Sequence, residues 1–227
     1  MIAKVDYFGI ADNTAVVVTD DDQGVSATTL EAKGQDGAFV ACQVFGEKMA
    51  PSCDYKMKGA WTIAPGSEKK LGKVTEVDGK SFALIELAIS TSNSDIPTIS
   101  AKGNQVEDNA ADGCTFMIPA FALAKKAHAQ ILWNAFTLTG AGCHLQSANY
   151  TASAALVQAE KDGVPLSFDV AEGKIEAEVE ILQVGETEPV LEAGEGWHIT
   201  DPLSCANADS NNPTWKAKLV KHLAKDS

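Results

Sequence analysis

The most ordered stretch of the chain is KIEAEVEIL, residues 174–182. Ile175, Ala177, Val179 and Ile181 alternate there with Lys174, Glu176, Glu178 and Glu180. A period of two places the apolar set on one face of a β-strand and the charged set on the other. Further apolar runs gather around Asp-Gly, a dipeptide that occurs four times, at 36–37, 78–79, 112–113 and 162–163. Asp-Gly suits the positive dihedrals of tight hairpin turns. SATTLEAKGQDGAFVACQVFG predicts a hairpin turning at 34–37, GKVTEVDGKSFALIELAIS one at 78–79, and ASAALVQAEKDGVPLSFDV one at 162–163. Residues 173–184 follow as a further strand. Regular turn spacing of this kind predicts an antiparallel, β-rich fold.

Two stretches break the period of two. In AFALAKKAHAQILWNAF, residues 120–136, Phe121, Ala124, Ala127, Ile131 and Ala135 stand at helical spacing. The alanine and lysine content favours helix, and Pro119 precedes it where proline is tolerated. In PTWKAKLVKHLAK, residues 213–225, Trp215, Leu219 and Leu223 form an i, i+4, i+8 stripe. Asn211 or Asn212 is placed to cap it, and lysines crowd its last turns, as the helix dipole favours. The expected fold is therefore mainly β with some α+β character: an antiparallel β-sandwich or barrel with one packed helix and a C-terminal helix. Residues 19–24, 90–98 and 191–212 read as loops or arms. The last is long for a connection inside a compact domain. Residues 1–190 are expected as a core domain, and 191–227 as an extended arm followed by the terminal helix. Trp197 and Ile199 are candidate anchors of that arm on a neighbouring subunit.

With 227 residues, 45% hydrophobic and 22% charged, the chain is long enough for one large domain with a real core. Its charge sharpens the picture. There are 31 acidic residues against 18 basic ones, a formal net of −13, and all the basic ones are lysine. A protein that reads nucleic acid without a single arginine is disfavoured, and so is attachment to an anionic membrane. Five cysteines at wide spacings form no C-x-x-C pair, so neither a zinc knuckle nor a thioredoxin-type site is expected. No signal peptide and no apolar run long enough to span a bilayer are read in the sequence.

Candidate chemistry is sparse. Phosphate-loop, dinucleotide, zinc-protease and nucleophile-elbow motifs are all missing from the sequence. Cys143 and His144 are adjacent, but neighbours on a strand point to opposite faces and form no nucleophile–base pair by themselves. The four histidines share no ligand spacing. No enzyme activity, cofactor or metal site is expected. The four tryptophans read as core or interface anchors before they read as a ligand platform. On a strand, Glu176, Glu178 and Glu180 share one face. That face is either the ordinary solvent-washed side of a sheet or a wall kept wet and negative, such as a channel that should not adhere to a passing polyanion.

The layout of LEAKGQDGAFVACQVFG, IPTISAKGNQV, the stretch from Phe121 and KDGVPLSFDVAEGKIEAEVEI resembles bacteriophage tail tube proteins, across roughly the middle two-thirds of the chain. The resemblance implies a virion structural protein made in the host cytoplasm. It implies a ring of identical subunits, commonly six, whose sheets join into an inner barrel. Rings would stack on one another and meet other virion proteins. DNA would pass without specific binding, along an acidic lumen for which Glu176, Glu178 and Glu180 are the candidates. Tube, terminator, connector and decoration proteins all share these features. The alternative is a monomeric all-β module that binds a small ligand or carbohydrate, with Trp61 or Trp197 in its pocket. An enzyme with a dispersed active site ranks last.

Overall fold

The computed structural model describes residues 4–11, 15–33, 39–63, 69–108, 114–161, 164–208 and 210–226, with no account of the side chains of 26–47. The described residues form strands β1 (Val16–Lys33), β2 (Phe39–Met57), β3 (Trp61–Ile63), β4 (Lys70–Leu71), β5 (Val74–Val77), β6 (Lys80–Ser92), β7 (Thr98–Gln105) and β8 (Thr115–Met117). They continue with β9 (Phe121–Leu123), β10 (Phe136–Thr139), β11 (Cys143–Lys161), β12 (Val164–Gln183), β13 (Val190–Ala193), β14 (His198–Cys205), β15 (Thr214–His222) and β16 (Lys225–Asp226). Nine strands make one antiparallel sheet in the order β1-β2-β7-β6-β11-β12-β15-β14, with β5 on the first part of β6. Three small sheets, β10-β13, β16-β8-β4 and β3-β9, complete the fold. No barrel closes among the described residues, so β1 and β14 are open edges.

The hairpin expectations find their strands. At 78–79, Val77 pairs with Lys80 across a two-residue turn, and both turn residues have positive φ, 51° at Asp78 and 73° at Gly79. This is the geometry that a primed hairpin turn requires. β1 pairs with β2 from Val16↔Met57 to Lys33↔Phe39, and β11 with β12 from Cys143↔Gln183 to Lys161↔Val164. Their turns, at 34–38 and 162–163, lie outside the described residues, as does the Asp-Gly at 112–113. The strand expected at 173–184 is the second half of β12. The two halves meet at a bulge, where Glu172 has φ 56° and the register shifts opposite Ser153 and Ala155. Gly173 is needed there, because a Cβ would sit 2.3 Å from the Phe116 ring.

The expected helices are absent: no helix occurs among the described residues. Within 120–136 the chain forms β9, an exposed irregular stretch and the start of β10. Phe121 and Leu123 are buried opposite Ile63 and Trp61, whereas Ala124, Ala127 and Ile131 of the proposed helical stripe are exposed. Trp133 and Asn134 have φ of 52° and 48°, a left-handed pair that a right-handed helix does not admit. An isolated helix of this length is marginal in water, and tertiary contacts decide instead. The Trp133 indole donates to Pro119 O at 2.8 Å and stands edge-on to Phe121 and Tyr150, with centroids 5.1 and 5.5 Å away. Within 213–225 the chain forms β15 and then reaches β16. Ala217 and Leu219 are buried, and Lys216 and Lys218 point outward. A spacing of four fits a strand as well as a helix. Trp215 and Leu219 therefore do not discriminate, and the alternating lysines do.

The core lies under one face of the large sheet. Tyr55, Leu87, Ile89, Ile99, Tyr150, Ile175, Ile181 and Leu219 are the large side chains it buries. Covering them are the three small sheets and the N-terminal segment 4–11, through Trp61, Leu71, Phe116, Phe121, Leu123, Phe136, Leu191, Tyr7 and Phe8. The two fully buried tyrosine hydroxyls are matched. The Tyr150 hydroxyl accepts from Leu132 N–H and donates to Gln130 O, both at 3.1 Å, and the Tyr55 hydroxyl donates to Asp6 at 2.7 Å.

Candidate assembly surface

The opposite face of the sheet is where the three glutamates stand. β12 lies between β11 and β15, and its alternation holds without a break from 174 to 181, apolar residues down and charged residues out. Antiparallel register sets the neighbours of each carboxylate. Glu176 lies between Thr151 and Val220, Glu178 between Asn149 and Lys218, and Glu180 between Ser147 and Lys216. Opposite charges therefore meet across strands, the arrangement that stabilises a sheet face. Glu178 pairs with Lys218 at 2.5 Å, Glu180 with Lys216 at 3.6 Å, and Glu176 with Lys174 at 3.2 Å. The Glu178 carboxylate, ahead of other nearby acids, holds the Lys218 ammonium above the usual lysine range. The repulsion expected among three stacked carboxylates is thus offset by lysines, two of them on the neighbouring strand. The same face runs on across β11, β6 and β7 in a different chemistry. Ser147, Asn149, Thr151, Ser153, Ala88, Ser90, Thr98 and Ser100 are small and uncharged, and the Glu86–Lys102 ion pair stands in the row of Ser153. The two regions together make a polar surface of paired charges and short uncharged side chains.

The segment expected as an arm, 191–212, is built into the molecule. β13 pairs with β10, and β14 pairs with β15 as an edge strand interrupted by two register shifts. Trp197 is not an exposed anchor: it is 3% exposed and belongs to the core, because the turn that carries it, held by Trp197 N–H to Gly194 O, folds back between β13 and β14. Its indole Nε1 has no hydrogen-bond partner among the described residues. Ile199 is 41% exposed on the open edge strand. The other large exposed apolar residues include Val25 on the β1–β2 hairpin, and Val157, Val164 and Leu166 on the outer half of the β11–β12 hairpin. These two hairpins are the longest elements. Their outer portions have no strand beside them, since β7 pairs with β2 only over Ser52–Lys56 and β15 pairs with β12 only over Lys174–Leu182.

Sequence reasoning missed this grouping. The register that aligns the lysines of β15 with the glutamates of β12 was hidden by the helical reading of 213–225. Trp61 is also buried, 6% exposed, so neither it nor Trp197 offers a ring to a carbohydrate. Among the described residues no group of three or more His, Cys, Asp or Glu side chains is placed to hold a metal ion. No protein-family model matches this chain, and no curated protein is significantly similar to it.

Proposed function

We propose that the chain is a self-assembling structural subunit of the virion tail-tube type, made in the host cytoplasm, in which copies join through their open sheet edges and long hairpins. The carrying observation is that β1 and β14 are unpaired on their outer sides among the described residues, while Val157, Val164 and Leu166 on the outer half of the β11–β12 hairpin, and Val25 on β1, are exposed. Open edges of this kind invite strand pairing with another chain, and a neighbouring copy covers them in a ring. In that ring the face carrying Glu176, Glu178 and Glu180 lines the passage. Its glutamates are matched by lysine, its middle carries short polar side chains and the Glu86–Lys102 pair, and DNA passing along it meets no arginine. The net charge of the whole chain adds a weak repulsion. This lumen is smooth and charge-balanced at the glutamates rather than uniformly acidic.

Native mass across a concentration series, with negative-stain imaging of the same samples, tests the reading. Rings or tubes that grow with concentration are expected. A monomer that persists at millimolar concentration overturns it.

A further inference from the structure

The lysines of this acidic protein are not evenly matched. Beyond those on β12 and β15, Lys4, Lys48, Lys70, Lys80, Lys102 and Lys225 each face a carboxylate. Lys69 and Lys73 form no direct ion pair among the described residues, although Asp6 lies near enough to act on Lys69, and both open into one cavity of about 410 Å³ together with Lys70, Thr75 and Glu76. The backbone builds this cradle. Residues 70–73 form a turn in which Lys73 N–H donates to Lys70 O at 3.3 Å, Gly72 N–H to Leu84 O at 2.7 Å and Leu84 N–H to Lys73 O at 3.1 Å. Gly72, at φ 87°, has no room for a side chain, since a Cβ would lie 2.6 Å from Val170 and 2.7 Å from Cys114 O. The turn that carries Lys73 is therefore fixed against β6, and Ile118 N–H donates to Lys69 O at 2.9 Å beside it. Lys69 is half-buried and its ammonium donates to a neutral acceptor, Gly9 O, at 2.8 Å. Burial pushes its pKa down, Asp6 opposes this, and the neighbouring Lys73 charge adds to the depression. The half-buried Lys69 cation gains from an anion, and the exposed Lys73 beside it brings a second positive charge that outweighs the single Glu76 carboxylate on the cavity wall.

The geometry points to a binding site for a phosphate monoester in this cavity, with Lys69 and Lys73 on the phosphoryl oxygens and the edges of Phe8 and Leu84 against the organic part. A phosphate monoester carries close to two negative charges near neutral pH on one compact group, which matches two ammoniums better than a single carboxylate does. The cavity volume lies in the range usual for small-molecule sites. This site is independent of the assembly reading.

The test titrates the full-length protein with inorganic phosphate, phenyl phosphate and acetate, following backbone amide resonances by NMR at fixed ionic strength. Saturable shifts centred on residues 69–76 are expected, with phenyl phosphate tighter than phosphate, and phosphate tighter than acetate. Lys69→Gln and Lys73→Gln should each weaken phosphate binding by about tenfold, while Lys125→Gln, which removes the same charge from the exposed stretch after β9, leaves it unchanged. Lys73 is exposed and forms no ion pair among the described residues, so its variant stays informative if Lys69→Gln proves unstable. Shifts that stay linear in phosphate, acetate equal to phosphate, or equal weakening in Lys125→Gln would each overturn the site.

Discussion

β12 is one strand with two halves that live under different constraints. From 174 to 181 it has a strand on both sides, a core beneath and solvent above, and every second residue is apolar and buried. From 164 to 172 its only strand partner among the described residues is β11, and Val164 and Leu166 are exposed by 60% and 54%. The outer half is tethered rather than sandwiched. Gln158 donates to Gln105 O at 2.8 Å, Glu160 pairs with Lys48, and Lys225 reaches Asp169 at 3.5 Å. The bulge at Glu172 and Gly173, with Phe116 wedged against it, separates the halves. The contrast shows that alternation is enforced only where one face must be dry. Where the strand leaves the sheet, apolar residues are left uncovered within the chain, and the proposed neighbouring copy is what covers them.

The largest test of this contrast is truncation on either side of the bulge. Ile175→Ala removes a fully buried side chain and should cost about 2–5 kcal/mol, whereas Leu166→Ala should stay within about 0.5 kcal/mol. Urea unfolding of the two variants measures both, and equal losses would erase the distinction.

The next test lies in the core beneath the inner half. Tyr150→Phe strips a buried N–H and a buried carbonyl of their shared partner and should cost about 1–3 kcal/mol at neutral pH. It should also change the alkaline limb. Burial, partly opposed by the Leu132 N–H, pushes the Tyr150 hydroxyl up to about 12, against 10.0 in the unfolded chain. Burial, then the hydrogen bond to Asp6, raises Tyr55 further. The folded state then holds protons that the unfolded state releases. Stability from Tyr150 is complete below pH 10 and is lost progressively as pH rises through about 12, by about 2–3 kcal/mol. Thermal melts between pH 9 and 12 should show this fall, less steeply in Tyr150→Phe.

Charging the outer half separates stability from assembly. Val164→Asp with Leu166→Asp should leave the melting temperature nearly unchanged, because neither side chain is buried, while reducing the native mass toward that of a monomer. An unchanged oligomer would remove the hairpin end from the interface. The smallest effect belongs to the outer face of the inner half. Glu178→Lys should destabilise slightly and Glu178→Lys with Lys218→Glu should recover the loss, both differences fading in high salt, since exposed pairs are screened. Melts at low and high ionic strength give the comparison.

Much of the inner half was legible from the sequence. KIEAEVEIL admits only a two-residue period, and Asp78-Gly79 supplies the positive φ values that a two-residue hairpin demands. The stretches 120–136 and 213–225 were misleading for a physical reason. Each carries apolar residues three or four apart, a spacing local to the sequence, while its backbone conformation was chosen by partners far away. Phe121 and Leu123 pair with Ile63 and Trp61, and Trp133 packs on Tyr150. Trp215 and its alternating lysines pair with β12, some 35 residues earlier.

The sequence by itself determined which residues of β12 face the core, where one hairpin turns, and that the molecule is acidic and carries no arginine. These are properties of neighbours in the chain, fixed by alternation, φ preference and composition. Tertiary structure alone decided that the glutamates of β12 would stand opposite the lysines of β15, that Trp197 would be buried rather than presented, and that Lys69 and Lys73 would share a cavity. Each of those outcomes depends on register and packing between distant segments, and pairing energy that is realised only when two strands meet leaves no mark on either strand alone.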